Sequence, residues 1–147
     1  MARQSLAIGT LSHLLGYHLR RASGAFALDF HEAMNGTGMR QVLVGILAIV
    51  EANPGVNQGS VGTALGIKRA NMVSLINELV DAGLLARIVA PEDRRAFSLT
   101  LTESGQAMLK DCTVRIEAHE ARMLADLSGA ERQTLLELLG RIEARKP

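Results

Sequence analysis

From Ser5 to about Met34 the apolar positions Leu11, Leu14, Leu15, Leu19, Ala22 and Phe26 recur at helical spacing with no proline between them, which predicts one long helix. Gly9, Gly16 and Gly24 weaken such a helix by roughly 1 kcal/mol each relative to alanine where exposed, so packing has to hold it. The cluster Asn35-Gly36-Thr37-Gly38 reads as a loop. Helical spacing returns from Met39 to Ala52 through Val42, Leu43, Ile46, Leu47 and Val50, and stops before Asn53-Pro54-Gly55. This second helix is apolar nearly all round, which predicts a buried centre.

The stretch Asn57 to Arg87 spells two short helices around a tight turn, the pattern of a helix-turn-helix. The first runs from about Asn57 to Leu65, with Val61, Ala64 and Leu65 as its inward stripe. Gly66 stands where a left-handed closing residue is needed, and Ile67 supplies a buried plug. The second helix, from about Lys68 to Ala82, turns Met72, Val73, Ile76, Leu79 and Val80 inward and carries Asn71, Ser74 and Glu78 on the other side; Gly83 ends it. After it, Arg87 to Ala90 reads as a strand, Pro91-Glu92-Asp93-Arg94-Arg95 as a charged turn, and Ala96 to Leu101 alternates Phe97, Leu99 and Leu101 against Ser98 and Thr100. The outcome is a β-hairpin with two arginines at its tip, the form of a wing.

Thr102 is placed to cap a helix reaching about Leu127, with Met108, Leu109, Cys112, Ile116 and Met123 along it. Ser128-Gly129 breaks the chain, and a last helix from about Ala130 to Ala144 presents Leu135, Leu136, Leu138, Leu139 and Ile142. That is more apolar surface than a lone chain can cover. The expected architecture is therefore mainly α with a small β-hairpin wing: an N-terminal dimerisation helix (1–34), a winged helix-turn-helix unit (35–101) and C-terminal dimerisation helices (102–147), intertwined as a single domain that pairs into a homodimer.

Composition narrows the class. The 147 residues suit one domain with a core; 48% are hydrophobic and 21% charged, which is globular, and no run approaches a membrane span. The single cysteine forms no internal disulfide, and no signal-peptide pattern opens the chain, so a cytoplasmic location is the default expectation. The net charge of +1 carries no general nucleic-acid signal, so any such role rests on local placement. There is no G-x-S-x-G, phosphate loop, paired catalytic carboxylates or Cys/His cluster at metal spacing, so nothing points to an enzyme, a metal site or a cofactor.

Local placement does point to double-stranded DNA. On the second helix of the pair, Asn71 and Ser74 face outward, where they can bond base edges or phosphates in a major groove. Lys68 and Arg69 stand at its start, suited to phosphates, although Arg69 falls on the inner side of an ideal wheel and reaches out only because the helix has barely begun. Arg94 and Arg95 at the wing tip suit a minor groove, with Asp93 orienting Arg95. The alternative is a winged helix used for protein contacts, its arginines meeting an acidic partner; salt-dependent binding of duplex DNA separates the two.

The run LGIKRANMVSLINELVDAGLLAR, followed by DRRAFSLTLTESG, resembles the MarR family of bacterial transcriptional regulators, most specifically through Asp93, Arg95, Leu101, Thr102 and Gly105. The resemblance implies a homodimer whose two second helices read a pseudo-palindrome with half-sites about one turn, some 34 Å, apart. Repression by blocking polymerase access is the outcome it implies. The chain departs from the family pattern at Ser74, where an arginine is frequent, at Glu78, where a basic residue is common, and at Lys68, where an aspartate often opens the helix. A specific but salt-sensitive binder is expected.

Many proteins of this kind release DNA when a small aromatic acid enters a cleft between the dimer helices and the winged unit. The matching candidates for a small-molecule effector are His13, Tyr17, His18 and Arg20. The competing reading has His13 and His18 packing or capping, and their spacing of five suits no metal; His31 and His119 add no ligand spacing. If the effector is the thioester of an aromatic acid, its phosphates would seek Arg20, Arg21 or Arg40. Cys112 lies on an apolar stripe and reads as an inert core residue, with redox sensing as the alternative.

Overall fold

The computed structural model describes residues 5–90 and 93–145, apart from the side chains of 90–96. They divide into two compact units, one of residues 33–118 and one formed by residues up to Glu32 together with His119 onward.

The larger unit is built on helix α2, Gln41–Ala52, whose Leu43, Val44, Ile46, Leu47 and Val50 are buried, as its apolar pattern predicts. The observed helix starts two residues later than expected. Before it, Thr37 closes the loop, its hydroxyl donating to Met34 O (2.6 Å) and accepting from Met39 N (3.0 Å). Strand β1, Val56–Asn57, leads into helix α3, Gln58–Leu65, where the Asn57 side chain accepts from Ser60 N at 2.8 Å and caps the first turn. Gly66 ends α3 at φ +66°, a left-handed conformation costly for any residue with a Cβ, as expected from its position. Of the predicted inward stripe of α3, Val61 is buried and Leu65 half-buried, but Ala64 is exposed. So short a helix does not fix from its own pattern which side faces the core.

Helix α4, Arg69–Asp81, seats Met72, Ile76 and Leu79 in the core. Val73, expected inside, is 46% exposed, because inward positions at 72, 76 and 79 leave it on the flank. Strands β2, Leu85–Ala90, and β3, Asp93–Leu101, follow. Both begin earlier than the alternation suggested, so Asp93, Arg94 and Arg95 belong to β3 rather than to the turn. The sheet is antiparallel in the order β1-β3-β2, with Val56 opposite Leu99 and Leu85 opposite Leu101; the register slips between Val89 and Ala90, where Ala90 pairs with Asp93. Strand β3 packs on α2, and its Leu99 is fully buried, whereas Phe97 is exposed at the wing.

Helix α5, Glu103–Met123, follows Thr102. The Thr102 hydroxyl accepts from Gly105 N (2.9 Å), confirming the cap, and donates to Gly83 O (2.6 Å), while Thr102 N donates to Leu84 O (3.2 Å). Thr102 thus fastens the end of the sheet to the turn that closes α4. Gly105 makes the approach possible, since a Cβ there would lie 2.0 Å from Leu84 O. Arg115 donates to the carbonyls of Ala33 (3.1 Å) and Asn35 (3.4 Å) and pairs with Asp111, and Cys112 is fully buried.

In the other unit the expected single N-terminal helix is two pieces. A 3-10 turn, Gly9–His13, is followed by Leu14 in an extended conformation, and helix α1 runs Leu15–Ala33. The His18 ring N–H donates to Ser12 O at 3.0 Å across the break, supplying the carbonyl with the partner a continuous helix would have given it. Helix α6, Gly129–Glu143, opens on a capping box in which Ser128 Oγ accepts from Glu131 N (3.2 Å) and Glu131 Oε2 accepts from Ser128 N (2.7 Å). His119, 2% exposed, meets Phe26 and Phe30 edge-on and donates from Nδ1 to Asp29 at 2.5 Å; Arg122 holds the same carboxylate oxygen at 3.0 Å. Leu11, Leu14, Leu15, Leu135, Leu136, Leu138 and Ile142 remain exposed in the single chain.

Candidate nucleic-acid interface

The sequence from Lys68 to Asp81 places an anchored and an open face on one helix. Met72, Ile76 and Leu79 fix its axis in the core, and Lys68, Arg69, Asn71 and Ser74 are all exposed. Arg69 shares the wheel side of Met72 and Ile76 but is exposed, as expected, because α4 starts at this residue with Lys68 as its N-cap in extended conformation. Two cations at a helix start reinforce the positive end of the backbone dipole, which favours an anion there. Along the flank, Ala70, Val73, Ser74, Asn77, Glu78 and Asp81 line a shallow trough of about 600 Å³.

Two side-chain ties hold this face. Arg40, the residue before α2, grips Glu78 with both terminal guanidinium nitrogens, at 2.7 and 2.9 Å. The hydrogen bond from Arg40 keeps the Glu78 carboxyl below its ordinary pKa, against the opposing effect of partial burial. Arg87 on β2 donates to Asn77 Oδ1, tying the wing strand to α4. Neither tie was visible in the sequence, where partners 38 and 10 residues apart share no periodic signal. Arg94 and Arg95 lie at the start of β3, and their side chains, with the expected Asp93–Arg95 contact, fall outside the described residues.

The four effector candidates lie together on the N-terminal segment. His13, His18 and Arg20 are exposed and Tyr17 is half-buried. His18 Nε2 is bonded to Ser12 O at 3.0 Å, and its ring is otherwise exposed. Arg21 donates to the Tyr17 hydroxyl at 3.1 Å and sits 5.8 Å from its ring centre, and that hydrogen bond raises the arginine pKa further. The Tyr17 and His18 rings meet edge-on at 5.2 Å. Arg40 is committed to Glu78.

Asp29 is held below the ordinary aspartate range, first by the hydrogen bond from His119 and then by Arg122, with burial opposing both. Burial pushes the Cys112 thiol up, which is the environment of an unreactive cysteine. Among the described residues no group of His, Cys, Asp and Glu is placed to hold a metal, and no helix is long and apolar enough to cross a membrane.

Residues 42–96 match the model of the MarR family. A proposed transcriptional regulatory protein for the hcr operon of Thauera aromatica is 33% identical over 135 residues, covering 91% of this chain and 81% of the relative. The transcriptional repressor CouR bound to a 23-mer DNA duplex superposes with a TM-score of 0.90 at 36% identity, covering 95% of this chain and 99% of that one. CouR bound to p-coumaroyl-CoA gives 0.85 at 33% identity, covering 97% and 100%. The anchored, outward-facing α4, the antiparallel wing and these likenesses over nearly the whole chain converge: the protein belongs to the MarR family of winged helix-turn-helix transcriptional regulators.

Proposed function

We propose that the protein is a cytoplasmic DNA-binding repressor, not an enzyme, which sits as a homodimer on a pseudo-palindromic operator and leaves it when an aromatic acid or its coenzyme A thioester binds. The observation that carries this reading is α4 itself: its apolar residues are locked into the core while Asn71 and Ser74 stand on its open side and Lys68 and Arg69 are exposed at its start. In this role Asn71 and Ser74 bond base edges, Lys68 and Arg69 hold phosphates, and Arg94 and Arg95 follow the neighbouring minor groove. The exposed leucines of α6 and of the N-terminal segment supply the dimer contact. Relatives described as bound to duplex DNA and to p-coumaroyl-CoA support both halves of the cycle.

The effector is met by His13, Tyr17, His18 and Arg20, with Arg20 and Arg21 supplying charge for an anionic tail. The experiment is a fluorescence titration of the DNA upstream of its own gene, repeated with p-coumaroyl-CoA and with the free acid. Salt-sensitive binding that the thioester or the acid abolishes is the expected result. Binding indifferent to every aromatic acid and thioester tried would remove the effector half, and no affinity for duplex DNA at low salt would remove the whole.

A further inference from the structure

Glu78 poses a problem for a helix that enters a DNA groove, and the role inferred for it rests on that proposed function. Successive steps of about 100° place Asn71, Ser74 and Glu78 on one side of α4, so a carboxylate stands where the helix approaches a polyanion. It is not bare. Arg40 reaches it from outside α4, rooted beside the buried residues Leu43 and Val44, and closes a two-bond fork at 2.7 and 2.9 Å. Both side chains stay about half exposed, 53% for Arg40 and 45% for Glu78. An ion pair that open to water adds little to stability, so its consequence lies in the charge it presents.

We infer that Arg40 and Glu78 form a selectivity clasp: Glu78 withholds the Arg40 guanidinium from DNA phosphates, and Arg40 neutralises Glu78 so that α4 can enter the groove. A free Arg40 would add one phosphate contact that any sequence satisfies, raising affinity without discrimination. A free Glu78 would repel every duplex. Held in the fork, Glu78 presents only acceptor lone pairs to a base edge, which complement the amine of cytosine and not the acceptors of guanine. The clasp therefore lowers affinity for random DNA while leaving base readout to the α4 face.

The two halves of the clasp make opposite predictions, which a purely structural tie does not. Glu78→Gln frees Arg40, so binding to a scrambled duplex tightens about fivefold or more, the salt slope steepens by about one, and the ratio of specific to scrambled affinity falls. Arg40→Gln leaves the carboxylate unpaired and weakens both duplexes about tenfold. The double variant returns the scrambled duplex to near wild type. Arg40→Lys keeps the charge without the fork and recovers part of the loss. Melting curves of all four confirm that the chain is folded when measured. If both single variants shift binding in the same direction, or neither shifts it beyond twofold while the wild type binds with normal salt dependence, the clasp is wrong and the DNA reading stands. If the wild type binds no duplex, both fall together.

Discussion

Replacing Gly105 by alanine sets two effects of opposite sign against each other. Gly105 lies in the first turn of α5, where alanine ordinarily stabilises a helix by up to about 1 kcal/mol. Here the added Cβ would lie 2.0 Å from Leu84 O, roughly 1.4 Å short of ordinary contact at 3.4 Å, and the obstacle is backbone rather than a flexible side chain. Relief requires the start of α5 to move away from the turn after α4. That movement strains or breaks the bonds from Thr102 N to Leu84 O and from Thr102 Oγ1 to Gly83 O. Overpacking costs about 1–3 kcal/mol and each lost hydrogen bond about 1 kcal/mol, so after the helix gain the net loss is about 2–4 kcal/mol. For a chain of this size that lowers Tm by about 4–16 °C. Thermal unfolding followed by circular dichroism at fixed protein concentration reads it directly. A Tm equal to or above wild type would refute the reasoning, since it would mean that the close approach carries no constraint.

Asn71→Ala should cost about 1–3 kcal/mol of operator binding and relax preference at one base pair, whereas Lys68→Ala should weaken all sequences alike and reduce the salt slope by about one; competition binding against single-base operator variants separates them. Leu136→Glu places a charge in the exposed leucine row of α6 and is expected to give a monomer by light scattering with most operator affinity lost; a dimer of unchanged affinity would count against the proposed dimer contact. Asp29→Asn tests the His119–Asp29–Arg122 cluster. A carboxylate whose folded pKa is depressed adds stability above its unfolded pKa and loses it as pH falls through the folded value, so the variant should be less stable than wild type near neutrality and converge with it in acid. Urea unfolding across that range would show a constant gap if the pairing were irrelevant.

What the sequence disclosed was what neighbouring residues decide among themselves. The apolar run of α2, the closing Gly66, the Thr102 cap and the break at Ser128-Gly129 all act within a turn or two, and the structure keeps each of them. The Leu-Thr-x-x-Gly pattern was legible as a resemblance, and its physical cause, Thr102 bonded to Gly83 and Gly105 pressed on Leu84, needed the third dimension. The break at Leu14 escaped because helical spacing runs unbroken across it, and only the hydrogen bond from His18 shows how the chain tolerates the gap. Val73 was misplaced because a residue on the flank of an amphipathic helix sorts by its neighbours, not by its own hydrophobicity. At the candidate site Asn71 and Ser74 were readable as the open face of a helix, and Lys68 and Arg69 as cations at its start. The pairs that condition that face, Arg40–Glu78 and Arg87–Asn77, were not, since each joins separate elements.

Footprinting of the DNA upstream of the protein's own gene, with the purified protein, tests the central claim most directly. Two protected half-sites about one helical turn apart, lost together as salt rises or when Asn71 and Ser74 are replaced by alanine, are the predicted result. Protection that is absent at low salt, confined to a single half-site, or unchanged in that double variant would contradict it.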